Sequence, residues 1–353
     1  MDREPPVHLL RSHDRTAEVD ALVDRLGGRV GLRGVLADLN RSARSVRVPA
    51  PAACHGFRWD REDMRSGRWW PQGITTSSDA GSGDDRGHVE GRALVVTSAY
   101  AKPVDGVHHG SRLSVVDVTD PTAIRYRHVL LVEPHLDEHG RVGLRPVRLH
   151  AGGIVWHGRH VHVAGTARGL SSFCLDDVVR VPDRDAPRLD AFGYRYLLPA
   201  RFGYDARTGP GHPPLRYSFA SVDRSATPHQ LVAGEYAHSR GTTRLVRYDI
   251  DPGTSLLRAT PDGRAVPVAL DDGVFGMQGA TVVDGRWFVT TSRGRYRLGS
   301  LWVGAPGELR EHRWQLPVGP EDISSWPERD ELWSVSEYPG ARYVFAMPRA
   351  RFA

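Results

Sequence analysis

Five segments of mainly apolar, strand-forming residues recur along most of the chain. Most copies end in a small residue, any residue, and then an aromatic or basic residue. The copies are LVVTSAY ending at Tyr100, VHVAGTA ending at Ala167, LVAGEY ending at Tyr236, WFVTTSR ending at Arg293 and LWSVSEY ending at Tyr338. Their ends lie 45 to 69 residues apart, which is typical of the four-stranded blades of a β-propeller. The repeat predicts an all-β fold, a single five-bladed β-propeller.

Each recurring segment is predicted to be the second strand of a blade, and a shorter strand precedes it. These innermost strands are predicted at residues 71–75, 150–154, 218–222, 277–281 and 320–324. The first four blades continue into third and outer strands, whereas the fifth reaches the end of the chain after its third strand. We therefore expect an N-terminal strand, near residues 45–48 or 57–59, to complete the fifth blade and close the ring.

The first 45 residues differ from this pattern. Residues 16–26 have apolar side chains at helical spacing, with Thr16 as a possible cap and Gly27 and Gly28 as a stop. A second helical turn is predicted near residues 32–39. The sequence thus predicts a short helical extension over residues 1–45 and the propeller over residues 46–353.

Composition limits the classes of partner. Apolar residues make up 40% of the chain, and no run of 18 apolar residues suggests a membrane span. The N-terminus is charged and lacks the apolar region of a signal peptide, and two cysteines are too few for a disulfide framework. The net charge of +5 comes from scattered arginines rather than a basic stripe. We expect a cytoplasmic protein with no nucleic-acid or membrane partner; the sequence leaves its oligomeric state open.

Propeller topology determines where a ligand site would lie. Loops that lead into the innermost strands, and loops that join second to third strands, emerge around one mouth of the central channel. These loops are rich in titratable and aromatic residues, as a ligand site requires. The predicted catalytic residues are Glu321, His150 and Lys102; the predicted substrate-binding residues are Gln72, Tyr100, Arg168, Glu235, Tyr236, Gln278, Arg293, Asp322, Glu337 and Tyr338.

The three catalytic candidates are predicted from their capacity to give or take a proton. A carboxyl at Glu321, shielded in the narrow channel, would have a raised pKa and serve as acid or base. His150 precedes Gly152 and Gly153, which permit close backbone approach. Lys102 is the single lysine among 47 basic residues, and a lysine can lose its proton whereas arginine cannot. Each also has a structural alternative: Glu321 and His150 as hydrogen-bonding partners between blades, and Lys102 as a solvated loop residue.

No cofactor is expected from the motifs. The chain lacks HExxH, CxxC and EF-hand patterns, a Gly-rich phosphate loop and a GxSxG elbow. Gln72, Gln278 and Glu321 could offer three oxygens to Ca²⁺ in the channel, although one carboxylate would make a weak site.

Several segments resemble a group of secreted actinobacterial five-bladed propeller proteins that have no assigned activity. They are RWWPQGITTS, YRHVLLVEP, HAGGI, MQGAT, GPEDIS and SEYPGARYVFAM, and they cover roughly residues 55 to 348. The resemblance implies the fold and a shared channel mouth, not a reaction. The secretion signal usual in that group is missing here, which suggests recruitment to a new task such as natural-product biosynthesis.

Three functions remain open on the sequence. The first is a cofactor-independent cyclase, isomerase or lyase that acts on a small metabolite through acid and base residues at the mouth. The second is a carbohydrate- or small-ligand-binding propeller without catalysis. The third is a glycoside hydrolase, which needs two carboxyl groups on opposite sides of the scissile bond, such as Glu321 with Glu235 or Glu337.

Overall fold

A computed structural model describes residues 5–81, 87–183, 185 and 189–352. The N-terminal part alternates strands and helices rather than being only helical. Its elements are β1 Val7–Arg11, α1 Thr16–Leu26, α2 Gly31–Leu36, β2 Arg41–Ser42, β3 Arg44–Ser45, β4 His55–Arg58 and α3 Arg61–Arg65. None of the helices among these described residues is long and apolar enough to cross a membrane.

The predicted helix α1 is confirmed, and so is its glycine stop. Gly27 adopts a left-handed conformation (φ +87°), which a side chain would disfavour, and so ends the helix. The predicted cap is wrong: Thr16 Oγ1 donates to Asp14 Oδ1 at 2.6 Å instead of capping the helix. α1 buries Val19, Leu22 and other apolar residues against neighbouring strands.

The first sheet and the second sheet follow the N-terminal part. The first has the order β8-β7-β6-β5, and the second has the order β10-β11-β12-β14. A parallel pairing between residues 130–132 and 197–199 joins the two sheets at their outer strands. Their elements are β5 Trp69–Thr76, α4 Ser77–Ala80, β6 Leu94–Ala101, β7 Ser111–Asp117, β8 Arg125–Leu136, β9 Val142–Pro146, β10 Ile154–His157, β11 His160–Gly165, β12 Gly169–Cys174, β13 Val179–Arg180 and β14 Tyr196–Thr208.

Three further antiparallel sheets complete the described chain. Their orders are β15-β16-β17-β19, β20-β21-β22-β23 and β24-β25-β26-β4-β3. The elements are β15 Phe219–Asp223, β16 Gln230–Gly234, β17 Arg244–Asp249, β18 Arg264–Ala265, β19 Ala269–Asp272, β20 Met277–Val283, β21 Arg286–Thr291, β22 Leu298–Gly304, β23 Arg310–Val318, β24 Pro320–Trp326, β25 Glu331–Ser336 and β26 Tyr343–Pro348.

The all-β prediction is confirmed, and the sheets are arranged as in a β-propeller. The innermost strands β5, β10, β15, β20 and β24 contact one another in that order, and β24 also contacts β5. β5 and β24 are buried along their whole length, because neighbouring sheets cover both of their faces. Apolar cores fill the spaces between adjacent sheets, including one between the last sheet and the first that contains Phe57, Ile74 and Trp326.

The N-terminal segment adds strands to these sheets. β1 pairs with β14 and β18, β2 pairs with β8, and β4 pairs with β26 with Phe57 opposite Val344. β4 therefore lies where the sequence predicted a completing strand, at the later of the two suggested positions. The division into domains at residue 45 stays a prediction.

The predicted innermost strands agree with the observed ones except in the second sheet, where β10 begins only at Ile154. The preceding residues are irregular: Ala151 has a positive φ of +54°, and two glycines follow it. Cys54 and Cys174 are free thiols.

Candidate functional site

Three innermost strands carry an irregularity at the same place, near their first residues. The pairing register shifts between Pro71 and Ile74 in β5, between Met277 and Gly279 in β20, and between Pro320 and Ile323 in β24. Such bulges remove residues from the hydrogen-bonded ladder and re-aim their side chains. The residues inside these shifts are Gln72, Gly73, Gln278, Glu321 and Asp322. The bulges therefore supply polar side chains to the place where the innermost strands meet.

Glycines allow the innermost strands to approach closely at this point. A Cβ on Gly153 would lie 1.9 Å from Ala220 N, and a Cβ on Gly279 would lie 2.5 Å from Asp322 Cα. Only glycine fits such contacts without moving the backbone. The predicted role of Gly153 in close approach is confirmed, and Gly279 has the same role between β20 and β24.

A cavity of about 560 Å³ opens at this end of the strands. Its walls come from all five groups of strands and their connecting loops. The lining residues are Trp70, Gln72, Tyr100, Lys102, His150, Thr166, Ser218, Tyr236, Gln278, Glu321, Glu337 and Tyr338. All three residues proposed for catalysis and six of those proposed for binding thus border one space, as the topology of the repeat predicted.

Glu321 is the most unusual acid of this cavity. Its side chain is only 3% exposed, and burial raises its pKa well above the ordinary value. The neighbouring carboxyls of Glu337 and Asp322 raise it further. These contacts favour the protonated form of Glu321, which is the form that can donate a proton.

Glu337 lies beside Glu321 at the end of β25. Gln72 Nε2 donates to its Oε2 at 3.2 Å, and Tyr338 and Lys102 also favour its charged form. Burial outweighs these contacts, so the pKa of Glu337 is raised as well. Two carboxyl groups in one cavity are thus both shifted toward the protonated form.

His150 and Tyr100 form one wall of the cavity. Their ring centroids lie 4.6 Å apart, with the planes tilted by 32°. Partial desolvation of His150, together with the charge of Lys102, lowers the pKa of the imidazole. The imidazole is therefore neutral at pH 7, which is the form that accepts a proton. Burial and the two glutamates raise the pKa of Tyr100 beyond its ordinary range, so its hydroxyl stays protonated.

Lys102 extends over the indole of Trp70, with Nζ 3.2 Å from the ring centroid. Desolvation lowers the pKa of the ammonium group, and the positive charges of Arg295 and Arg342 act in the same direction. Glu337 opposes them. The single lysine of the chain therefore lies at the rim of the cavity with a weakened hold on its proton.

Asp322 is buried next to Glu321 but does not line the cavity. Its Oδ2 accepts from the backbone N–H of Ile74 at 3.3 Å, and the N–H groups of Ile154 and Ile323 also favour its charged form. Burial nevertheless raises its pKa well above the ordinary value. Asp322 joins the starts of β24, β5 and β10, so hydrogen bonding between neighbouring sheets describes its role better than substrate binding.

The other three predicted substrate-binding residues also lie outside the cavity wall. Glu235 forms a buried, two-pronged ion pair with Arg244, with Nε–Oε2 and Nη2–Oε1 distances of 2.9 Å. Arg293 is exposed and pairs with Glu311. Arg168 lies in the exposed turn between β11 and β12. Neither arginine contributes to the cavity.

Sequence reasoning missed three residues that line the cavity: Trp70, Thr166 and Ser218. Each lies within two residues of a predicted loop position, so the topology that selected their neighbours could have included them. Of the three, Trp70 could have been predicted most easily, because the RWWPQG segment places it two residues before Gln72.

Several cavity residues carry side-chain oxygens, but the set is poorly suited to Ca²⁺. Gln72, Gln278 and Glu321 all border the space, as the calcium hypothesis requires. Calcium binds carboxylate, however, and the raised pKa of Glu321 works against its deprotonation. The arrangement is better suited to moving protons. That the protein works without a cofactor stays a prediction.

Comparison with known proteins identifies no family. No family matches the sequence, and no curated protein does. Solved structures give weak similarities: the β-propeller domain of Cps50 (Swd1) from Myceliophteria thermophila has 12% identity and a TM-score of 0.38, covering 80% of this chain and 98% of that one. A GH43_1 enzyme from Xanthomonas citri complexed with xylose has 11% identity and a TM-score of 0.36, covering 81% and 88%. Similarities at this level carry no argument about activity.

Proposed function

We propose that the chain is an enzyme that uses acid and base groups in the cavity of about 560 Å³ to isomerise or cyclise a small metabolite, or to eliminate a group from it. The observation that carries the proposal is that Glu321 and His150 line the same cavity of about 560 Å³. Burial and the neighbouring carboxyls raise the pKa of Glu321, whereas burial and the charge of Lys102 lower the pKa of His150, so an acid and a base face one space. Pairs of groups with opposed pKa shifts are typical of acid–base catalysis.

The chemistry follows from these protonation states. His150 would remove a proton from carbon next to a substrate carbonyl while Glu321 donates its proton to the carbonyl oxygen, giving a neutral enol. In an isomerisation the imidazolium of His150 returns its proton to another carbon, and in an elimination it protonates the departing group instead. In both cases the enol O–H proton goes back to the Glu321 carboxylate as the carbonyl re-forms. Lys102 and the tyrosine hydroxyls would orient the polar groups of the substrate.

The proposal includes a closed ring of five blades, because the cavity needs walls from every side. Support comes from the contact between β24 and β5 and from the pairing of β4 with β26. Each of these two contacts brings a strand from the first part of the chain against a strand from the last part, as closure of the ring requires.

Metabolite profiling tests the proposal. Wild type, Glu321→Gln and the control Glu138→Gln, which changes an exposed glutamate, are incubated with a small-molecule extract and followed by mass spectrometry. We expect wild type and the control to convert the same compound. Glu321→Gln should convert it at least about 100-fold more slowly, because glutamine has the shape of the acid but no acidic proton. Equal conversion by all three proteins would contradict the proposal.

Glycoside hydrolysis is the second candidate, and the pairing of Glu321 with Glu337 favours it. Two carboxyl groups in an aromatic-walled cavity are the minimum that this reaction requires. The two functions differ in their need for Glu337. A glycosidase should lose activity on aryl glycosides in both Glu321→Gln and Glu337→Gln, whereas the proposed acid–base enzyme should show no such activity in wild type.

A further inference from the structure

A second group of reactive side chains lies far from the mouth, where the N-terminal strand β4 meets the last sheet. Cys54, His55 and Glu331 each offer a ligand atom, and these atoms all lie within 4.8 Å of one another. Cys54 directly precedes His55, the first residue of β4, and Glu331 begins β25. The three residues therefore come from opposite ends of the chain.

The pairing register brings this cluster together. His55 is opposite Ala346 in β26, and Ala346 is opposite Trp333 in β25. His55 consequently packs edge-on against Trp333, at 5.3 Å between ring centroids, and Glu331 lies two residues away on the same side of β25. The fold thus holds the cluster across three adjacent strands.

The polar contacts of Glu331 orient it toward His55. His55 Nε2 lies 2.6 Å from Glu331 Oε1, and Trp333 Nε1 donates to Glu331 Oε2 at 2.9 Å. A hydrogen bond that fixes a carboxylate in this way is typical of the outer shell of metal sites. The thiol of Cys54 is exposed, and its Sγ donates to the backbone carbonyl of Ala346 at 3.3 Å. The strand that faces β4 thus also holds the thiol beside the other two groups.

We propose that Cys54, His55 and Glu331 bind Zn²⁺ and that the metal fastens β4 onto the last sheet. Thiolate, imidazole and carboxylate together suit zinc better than calcium or magnesium, which prefer oxygen ligands. Zinc replaces the thiol proton of Cys54, which is released to solvent, and it binds the neutral imidazole of His55 through Nε2, with the ring N–H on Nδ1. The His55 and Glu331 ligand atoms must separate by less than about 1 Å to reach tetrahedral spacing.

Three protein ligands leave one position of a tetrahedral zinc for water or another small ligand. A groove of about 740 Å³ borders Cys54 and His55, and Phe57, Ile124 and Trp333 contribute apolar walls. The fourth position is therefore reached from this groove, and an exogenous thiol or imidazole could occupy it.

Cobalt titration of the full chain tests the site. Metal-free protein is titrated with Co²⁺, whose thiolate complexes absorb strongly in the near ultraviolet, and the complex is then challenged with Zn²⁺. We expect one equivalent to give the thiolate absorption and zinc to abolish it. Cys54→Ser should lose the absorption, whereas the control Cys174→Ser should keep it, because Cys174 is the other free thiol of the chain.

Thermal unfolding tests the fastening role. At a zinc concentration about 100 times the Kd, Tm should rise by roughly 3–4 °C in wild type and in Cys174→Ser. His55→Ala and Cys54→Ser should show no rise, whereas the exposed control His139→Ala should respond like wild type. Cobalt absorption or a Tm increase that survives in Cys54→Ser would overturn the proposal, as would the absence of thiolate absorption in wild type.

Discussion

Glu235 and Glu321 both come from loops or strand starts that the repeat places at the channel mouth, yet their surroundings differ. Glu235 is fully buried but receives two hydrogen bonds from the Arg244 guanidinium, and the N–H groups of Arg216 and Arg244 add two more. These bonds lower its pKa below the ordinary value. Glu321 has two acids as its electrostatic neighbours, and every cause of its shift raises its pKa.

The difference separates a structural acid from a candidate catalytic one. A buried carboxylate with a full set of donors stabilises the fold and has little tendency to exchange its proton. A buried carboxyl that lacks a cationic partner costs free energy to keep, and such groups cluster at functional sites. Asp63 repeats the first pattern: Arg112, His128 and Tyr126 surround it and hold its pKa far below its usual range.

The largest expected effect is a loss of stability when Glu235, the acid paired with Arg244, is replaced by glutamine. Glu235→Gln leaves Arg244 without its buried counter-charge, so the free energy of unfolding should fall by roughly 3–5 kcal/mol. Glu321→Gln removes no ion pair, and its free energy of unfolding should change by less than about 1 kcal/mol at pH 7. Urea unfolding of both variants measures this. A comparable loss in the two would show that Glu321 is a structural acid like Glu235.

The pH dependence of stability should reveal another buried acid with a raised pKa, Asp79, which lies near Asp322. Burial raises the pKa of Asp79 to about 6, although Thr75 and Ser324 donate to its Oδ2. Because the folded pKa lies above the unfolded value of about 3.9, its contribution is complete below pH 4 and is lost as pH rises to 6. The loss amounts to about 3 kcal/mol at most.

Asp79→Asn isolates that contribution, because asparagine does not titrate. The variant's unfolding free energy should lack the decrease that wild type shows between pH 4 and pH 6. Glu235 acts in the opposite direction: because its folded pKa is lowered, its contribution is complete above the unfolded pKa of about 4.3 and is lost as pH falls through the folded pKa. Urea unfolding at several pH values measures both contributions, and an identical pH profile for wild type and Asp79→Asn would contradict the expected shift.

A smaller effect is expected from the close packing that positions Glu321. In Gly279→Ala the new methyl group would meet the backbone at Asp322 Cα, so we expect a loss of roughly 1–3 kcal/mol in the free energy of unfolding. Gly253→Ala is the matched control, because Gly253 is exposed and a Cβ there would meet only the Asp251 side chain at 3.4 Å. Equal stability of the two variants would argue against a tight contact between β20 and β24.

These comparisons also show how far sequence reasoning extended. The repeat located four of the innermost strands and brought Glu321, His150 and Lys102 to one cavity, because blade topology depends on strand order. The repeat could not distinguish Glu235 from Glu321, because the difference depends on whether an arginine lies opposite the carboxyl group. Arg244 occupies the neighbouring strand of the same hairpin, where a cross-strand pairing argument could have found it. No comparable sequence pattern indicates the bulges at Gln72 and Glu321.

The smallest expected effect is a shift in the pKa of Lys102, the candidate base at the rim of the cavity. Because it is the single lysine, its side-chain Cε gives one identifiable NMR signal, whose pH titration reports the pKa directly. We expect a value below the ordinary 10.4, since desolvation, Arg295 and Arg342 all lower it. Arg295→Gln should raise this pKa by removing a positive charge, and Glu337→Gln should lower it further by removing a negative one. If both substitutions left the titration unchanged, Lys102 would be a solvated loop residue, and the acid–base set would reduce to Glu321 and His150.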